Sequence, residues 1–427
     1  MTKHGLASPF FNIPLELREQ IFRDVLSCPS QGPNLLRTCR EIYNEARKFL
    51  YHRPINFRNQ ERLYDWLGVT APHFLRQVSM ISLSIHDVDL QTILTTEDLT
   101  DEAELPVQLH TWRLYEAELD KLRSSFQKLP NVKTINIQAS VRHQSFLYRD
   151  FTTAVLELLV SSYPLLMDLR LDGDWHHQDL AVLSRLQQLS SFTFDGFSSS
   201  TSTETADILG GLSNLRSLSL TSQHAILTPV TCRRSLFTEK HQSFTGDVAR
   251  TMKQLASFAV TEVRPTPSPT LFLTSEILDS LHNHSTLDAL SVQLSHPPDR
   301  DVLEALEIFI ARSNIRRLEL DWPNFKPLVL RNFQLASSLL RCLWVRVDCE
   351  ADAFKILCSL AEIRGAGDVQ ELRKIVLVRS FVTSVDAISQ ACDRKDSGTG
   401  VSSDLLKTVS SGLLPRSVIL RVIAALC

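Results

Sequence analysis

One short hydrophobic pattern returns along the chain from Val132 onward: an apolar residue, two variable residues, an apolar residue, one variable residue and a last apolar residue. The variable positions are mostly polar, so each copy alternates as a strand with one buried face does. Helical segments separate several copies, as at residues 151–161, 275–282 and 302–311. Strand, turn and helix in repeated order predict a stack of layered units. The copies are VKTINI at 132, LMDLRL at 166, LSSFTF at 189, LRSLSL at 215, LASFAV at 255, LDALSV at 287, IRRLEL at 315, LRCLWV at 340 and LRKIVL at 372.

A pattern this loose also arises by chance in a chain that is 43% hydrophobic. The prediction of repeats therefore depends on three further features: the alternation of apolar and polar residues, the helices between copies, and similar tripeptides just before several copies. These tripeptides begin at Leu129, Tyr163 and Leu212. The long spacings predict insertions near residues 222–246 and 264–274.

Residues 10–51, upstream of this pattern, show two amphipathic helical patterns joined by a break that contains Pro29, Gly32 and Pro33. Helices this short cannot bury both of their faces on each other, so we expect apolar surface to remain for a third element or for a partner. The apolar positions are Leu17, Ile21, Phe22, Val25 and Leu26 in the first helix, and Leu35, Cys39, Ile42, Ala46 and Phe49 in the second.

Other segments complete a predicted organisation of five parts. Residues 75–85 alternate like a strand, and residues 109–129 form the longest amphipathic helical pattern. The acidic segment 97–104 and the Gly/Ser/Asp-rich segment 393–403 predict exposed loops, and the apolar segment 413–426 predicts a closing helix. The parts are a tail (1–8), a helical module (9–57), a linking strand, loop and helix (58–130), the repeats (131–380), and a mobile loop with a capping helix (381–427). The predicted fold class is α/β.

Composition narrows the function classes. A chain of 427 residues is longer than a single compact core usually holds, so we expect several domains or an elongated fold. Its formal net charge of −3 provides no field that would attract nucleic acid or an anionic membrane. The 8 Cys form no CxxC pair, the N-terminus lacks the apolar run of a signal peptide, and no stretch of 18 apolar residues occurs. We therefore expect an intracellular protein of the cytoplasm or nucleus, with no nucleic-acid or membrane partner.

Candidate chemistry is scarce. No nucleophile-elbow, zinc-protease or phosphate-loop motif occurs, so we expect no catalytic residue and no cofactor. Asp172, Asp174, His176, His177 and Asp179 cluster in sequence, but adjacent histidines point in different directions, so we expect no metal there. The segment Thr266–Pro269 contains two dipeptides that a proline-directed kinase could modify.

The N-terminal helical pattern resembles an F-box, in the divergent form common in filamentous-fungal proteins. The resemblance implies a small helical module that docks on the Skp adaptor of a cullin–RING ubiquitin ligase. Two departures stand out, since residues 27–33 replace an acidic, leucine-containing turn and Tyr43 stands where tryptophan is usual. The matching residues are Ile13 to Leu17, Ile21, Phe22, Leu36, Cys39, Arg40, Tyr43 and Ala46, and the family's adaptor contacts correspond to Ile13, Pro14, Leu17, Ile21 and Phe22.

The recurring pattern resembles a degenerate leucine-rich repeat. In that family the apolar positions point into the stack and the variable positions line a sheet that binds partners. Trp344 with Arg346 is the strongest candidate, because Trp and Arg are enriched at binding hot spots. The alternatives are that an insertion covers Trp344 or that the assigned strand register is off by one residue. The central strands should be small and polar, with Ser191, Thr193, Asp195, Ser217, Ser219 and Thr221 open to a partner. The substrate-binding candidates are Asp168, Arg170, Asp172, Arg317, Glu319, Trp344 and Arg346.

These resemblances together imply a substrate-recognition subunit of a ubiquitin ligase, with a Skp-family adaptor, a cullin core and a protein substrate as partners. One alternative is a non-catalytic interaction scaffold whose N-terminal helices only cap the repeats. The other is an α/β enzyme, which would require a deep pocket with converging polar groups.

Overall fold

A computed structural model of the protein describes residues 9–27, 32–88, 107–139, 146–173, 175–222, 241–263, 269–348, 350–365, 369, 371–379 and 419–420. The chain divides into two compact units, Met1–Arg216 with Thr228–Phe244 and Ser217–Leu227 with Thr245–Cys427. In each unit parallel strands are connected through intervening helices, and short helices precede the strands of the first unit. The predicted fold class, α/β with an N-terminal helical module and strand–helix repeats, is confirmed.

The N-terminal module consists of short helices. They are a 3-10 helix at Pro9–Asn12, α1 at Leu15–Ser27, α2 at Gly32–Leu36, α3 at Arg40–Ala46 and a 3-10 helix at Arg47–His52. The prediction of one continuous second helix from the apolar stripe is therefore wrong, because α2, α3 and a 3-10 helix occupy that stretch. Cys39 has an extended backbone, and its Sγ accepts a hydrogen bond from the Ile42 N–H at 3.5 Å, so it begins α3 instead of packing in a stripe.

The rest of the first unit contains a parallel sheet with strand order β1-β2-β3-β4-β5. Its strands are β1 at Ile55–Phe57, β2 at Met80–Ile85, β3 at Thr134–Ala139, β4 at Asp168–Asp172 and β5 at Ser191–Phe194. A small antiparallel pair joins β6 at Phe197–Ser198 to β8 at His241–Gln242. The helices are α4 at Gln60–Val69, α5 at Pro72–Leu75, α6 at Val107–Gln127, α7 at Phe146–Ser162, a 3-10 helix at Leu180–Arg185 and α8 at Ser202–Gly211.

The second unit repeats the same arrangement, with parallel order β7-β9-β10-β11-β12-β13. Its strands are β7 at Ser217–Ser222, β9 at Ser257–Glu262, β10 at Ala289–Leu294, β11 at Arg317–Asp321, β12 at Cys342–Val347, β13 at Lys374–Arg379 and β14 at Ile419–Leu420, the last antiparallel to β13. The helices are α9 at Gly246–Thr251, α10 at Ser275–His282, α11 at Arg300–Arg312, α12 at Pro327–Asn332 and α13 at Glu350–Gly365.

All nine predicted copies of the repeat pattern form strands, and each strand pairs in parallel with a neighbour in its own unit. The consensus apolar residues form the core, as Ile315, Leu318 and Leu320 show on β11 and just before it. Burying one such side chain contributes roughly 1.5–3 kcal/mol, so the repeated pattern supplies much of the stability of each stack.

Two expectations about boundaries need correction. Strands β1 and β2 pair with each other and with β3, so the sheet begins well before residue 131. The prediction of a helix at 413–426 is wrong at Ile419–Leu420, because these two residues form a strand that pairs with Leu377 and Val378. Outside the described residues lie the tail 1–8, residues 28–31, the acidic segment 97–104, most of the insertion 222–246, residues 264–268 and the loop 393–403.

A buried carboxylate holds the chain just after the proline-containing segment. The Glu262 side chain is fully buried at the end of β9. Its Oε1 accepts hydrogen bonds from the N–H groups of Leu271 at 3.0 Å and Phe272 at 2.8 Å. A buried charge is tolerated when donors satisfy it, so Glu262 ties residues 269–273 to the sheet.

Candidate functional site

The N-terminal module has its own small core. Phe22 and Leu26 on one side of α1 pack with Ala46 and Phe49, and all four are buried. Phe22 is 0% exposed. The expectation that Phe22 contacts an adaptor is therefore corrected, because its ring has no surface to offer and instead joins α1 to the following helices.

The opposite side of α1 carries apolar side chains that the module leaves uncovered. Leu17 is 52% exposed and Ile21, one turn later, is 38% exposed. We call Leu17 and Ile21 the outer face of α1. Pro14, just before the helix, is exposed, and Ile13 is half-buried. Four of the five predicted adaptor contacts therefore retain accessible surface.

Arg18 holds the start of α1 in place. Its guanidinium makes two parallel hydrogen bonds to the Glu45 carboxylate on α3, at 3.0 and 2.8 Å. The same group donates to the carbonyl oxygens of Phe11 at 2.9 Å and Ile13 at 3.2 Å. Such a two-pronged, charge-assisted contact adds geometric precision, so the orientation of the outer face is defined by more than apolar packing.

The module is joined to the following helices by aromatic contacts. The rings of Tyr51 and Phe74 stack with centroids 4.7 Å apart, and the Arg47 guanidinium lies 5.3 Å from the Phe74 centroid. Offset ring pairs stabilise by about 0.5–1.5 kcal/mol beyond their buried area. These contacts use the end of the module and leave the outer face of α1 free of them.

In the first unit, the predicted charged residues share one face of β4. Asp168, Arg170 and Asp172 occupy alternate positions, and Arg170 Nε donates to Asp172 Oδ2 at 2.7 Å. Burial raises the pKa of Asp168, while a hydrogen bond from Ser191 and the charge of Arg170 act in the opposite direction. The group is thus an internally paired cluster with Arg170 as its exposed member.

Three polar positions expected to be open are buried. Thr193 and Asp195 are both buried, and Asp195 Oδ1 accepts a hydrogen bond from the Phe197 N–H at 3.0 Å. Asp195 therefore shapes the chain between β5 and β6. Thr221 on β7 is also buried. The prediction that small polar residues make the central strands approachable is wrong at these three positions.

In the second unit, Glu319 lies at the centre of a polar network on the sheet face. Its carboxylate accepts hydrogen bonds from Ser291 at 2.8 Å and Gln293 at 3.1 Å. Arg317, on the same strand, pairs with Asp288 at 2.9 Å between Nη2 and Oδ1. Arg317 remains exposed, whereas Glu319 is half-buried.

Trp344 and Arg346 are less open than expected. Trp344 is half-buried, its Nε1 donates to Cys342 Sγ at 3.1 Å, and Lys374 Nζ lies 5.5 Å from its ring centroid. The Arg346 side chain is only 12% exposed and lies 3.5 Å from carboxylate oxygens of Asp321 and Asp348. Trp344 keeps an accessible part, but Arg346 is held by its own carboxylate neighbours.

Sequence reasoning missed a row of arginines at the start of the strands. Arg316, Arg341 and Arg373 each follow the first apolar residue of three consecutive repeat copies. Main-chain hydrogen bonds connect them in order, from Arg341 N to Arg316 O at 2.8 Å and from Arg373 N to Arg341 O at 3.0 Å. We call these three residues the arginine row. The recurrence of Arg at one repeat position was the signal that could have revealed it.

A groove of about 610 Å³ lies between α12 and α13, with Leu328 and Phe354 exposed along it. Its ionic groups pair with each other, Arg331 with Glu362 at 3.3 Å and Lys355 with Asp352 at 4.0 Å. Across the described part of the chain, no group of three or more His, Cys, Asp or Glu is arranged to hold a metal ion. His177 Nε2 instead lies 2.7 Å from Gln178 Nε2 and 3.3 Å from Thr152 Oγ1.

Comparison with known proteins adds little to this geometry. No protein-family model matches the chain, and no curated protein matches it. Among solved structures, the chain is similar to one chain in the crystal structure of the Rad7 and Elc1 complex in yeast, at 14% sequence identity and a TM-score of 0.28, over 79% of this chain and 90% of that chain. Within the described residues, no helix is both long and apolar enough to cross a membrane.

Proposed function

We propose that the protein is a substrate-recognition subunit of a cullin–RING ubiquitin ligase, acting in the cytoplasm or nucleus. In this proposal residues 9–57 bind a Skp-family adaptor, which carries the cullin core, and the repeat strands bind a protein substrate. The observation that carries it is the uncovered outer face of α1, formed by Leu17 and Ile21. These positions are the ones that the F-box resemblance assigns to the adaptor contact.

The energetics of that face favour a stable partner. Leaving a large aliphatic side chain in water forgoes roughly 1.5–3 kcal/mol relative to burying it. The module has already used Phe22 and Leu26 for its own core, and Arg18 holds α1 on α3. A rigid helix with preformed apolar contacts binds without a large ordering cost, which is how a small module can hold an adaptor.

The chain's contribution in this proposal is proximity, and it performs no chemical step itself. Holding a bound protein near a charged conjugating enzyme replaces a bimolecular encounter by a local one. The exposed groups on the strand faces, such as Arg170, Arg317 and the accessible part of Trp344, are suited to contacts with a protein surface.

The test is capture of a purified Skp adaptor by the intact protein and by the double variant Leu17→Asp/Ile21→Asp. We expect at least a hundredfold loss of affinity, because two charges would have to be desolvated in an apolar interface. The matched control is Val69→Asp on α4, where the parent side chain is 86% exposed. Equal capture by the parent protein and the double variant would refute the assignment of the adaptor site.

A second candidate function is an interaction scaffold whose N-terminal helices only cap the repeats. The stacking of Tyr51 on Phe74 favours it, because that contact ties the module to the first unit. Phe74→Ala separates the two proposals. A cap function predicts that the variant loses stability throughout the first unit, whereas a docking module predicts unchanged affinity for the adaptor.

A further inference from the structure

The start of the last parallel strands carries a concentration of positive charge. The arginine row continues a main-chain ladder that includes Asp288, since Arg316 N donates to Asp288 O at 2.8 Å. One residue further along these strands, Cys342 on β12 pairs in register with Arg317 on β11 and with Lys374 on β13. Neighbouring strands are about 4.8 Å apart, so the three rungs of the row span on the order of 10 Å.

This surface has a net positive charge in a chain whose net charge is negative. We define the basic patch as the arginine row with Arg317 and Lys374, together with two carboxylates, Asp288 and Glu371. Five cations against two carboxylates leave a formal charge of +3, whereas the whole chain carries −3. All five cationic residues are exposed. Such a local excess of one sign attracts ligands of the other sign.

The patch already shows how it receives a carboxylate. Arg341 Nε donates to Glu371 Oε2 at 2.9 Å. The hydrogen bond and charge of Arg341 lower the pKa of the Glu371 carboxyl, and the charges of Arg373 and Arg316 act in the same direction. The contact between Arg341 and Glu371 thus shows that the arginine row can hold a carboxylate.

We propose that the basic patch is a docking surface for an acidic protein segment rich in Asp and Glu, with Trp344 accepting an apolar side chain of the same segment. This inference rests on the proposed function, and it specifies the class of substrate that the repeats would select. Trp344 lies next to the patch, because Nζ of Lys374, a member of the patch, is 5.5 Å from the centroid of the Trp344 ring.

The surroundings favour a short peptide over a nucleic acid. Glu319 lies in the middle of β11, and Asp321 and Asp348 lie at the far ends of β11 and β12, where they pair with Arg346. A phosphate backbone carries charge continuously and would meet these carboxylates on leaving the patch. An acidic segment of a few residues can place its charges on the patch alone.

The experiment measures fluorescence anisotropy of a labelled eight-residue peptide of Glu and Asp with one central Leu, titrated with the full-length protein. We expect Arg341→Glu/Arg373→Glu to weaken binding at least tenfold, and Arg341→Gln/Arg373→Gln to weaken it less. The matched control is Arg250→Glu/Arg300→Glu, which makes the same charge change on exposed helices of the second unit. We expect that control to bind within twofold of the parent protein.

Three results would overturn the proposal. They are absence of binding by the parent protein, equal binding of the Gln/Asn version of the peptide, and tighter binding of a single-stranded oligonucleotide that the Arg341→Glu/Arg373→Glu variant loses. Failure of the proposed ubiquitin-ligase function can be distinguished from failure of the proposed acidic-segment binding. If the peptide binds but no Skp adaptor is captured, the basic patch stands and the ubiquitin-ligase assignment falls.

Discussion

The outer face of α1 and the basic patch are both exposed, yet they are built from opposite chemistry. Leu17 and Ile21 present apolar surface on a helix whose other side is packed. The basic patch presents five cations at the start of β11 to β13. Apolar surface rewards permanent burial, whereas exposed charge mainly accelerates and selects encounters. The difference suggests a lasting partner for the module and an exchanging partner for the patch.

Phe22→Ala should have the largest effect on this comparison. Removing a fully buried ring costs about 3–5 kcal/mol, enough to unfold a module with so few core residues. Hydrogen exchange measured residue by residue should show loss of protection in α1, α2 and α3, with loss of adaptor capture. Acidic-peptide binding should be unchanged. Loss of protection in the second unit as well would contradict independence of the two surfaces.

Glu262→Ala should have the reciprocal effect. It leaves the N–H groups of Leu271 and Phe272 without their carboxylate acceptor, at a cost of about 2–3 kcal/mol. Urea unfolding followed by hydrogen exchange should show the second unit opening at lower urea, with adaptor capture retained. Glu276→Ala, on an exposed helical position, serves as the control. An unchanged midpoint for Glu262→Ala would refute the anchoring role.

Salt should separate the two binding events. Raising NaCl from about 50 to 500 mM shortens the screening length severalfold, so acidic-peptide affinity should fall at least tenfold, or about 1.4 kcal/mol. Adaptor affinity should change by less than about twofold, because apolar burial carries no charge. Titrations of both ligands across the salt series provide the measurement. Parallel salt dependence would remove the distinction.

Arg18→Lys should give the smallest change. A lysine keeps the charge but cannot reproduce the two parallel bonds to Glu45 together with those to the carbonyls of Phe11 and Ile13. We expect a loss of about 1 kcal/mol in the stability of the module and a few-fold loss of adaptor affinity. Arg37→Lys, at an exposed position, is the control. Equal stability of both variants would show that Arg18 does not orient α1.

The positions of the repeat strands could be predicted because alternation is a local property. Leu318 and Leu320 face the core with Glu319 between them, as the pattern IRRLEL indicates. The start of the sheet could not be predicted, because β1 has only three residues and joins β2 through pairing across distant sequence. The end of one helix and the start of α3 at Cys39 could not be predicted from the sequence either, because a residue that caps a helix and a residue that packs in the core can both fit the spacing of an apolar helical stripe.

By itself the sequence determined where the repeat strands and several of the helices lie and which side of each repeat strand is apolar, because the two-residue and 3.6-residue periods are set by backbone geometry. Only the tertiary structure decided which polar or aromatic side chains remain available. Phe22 packs with Phe49 and Arg346 pairs with Asp321, both distant in sequence, while the arginine row is assembled by the register of three strands. Exposure depends on what packs beside a residue, and that information lies outside any local pattern.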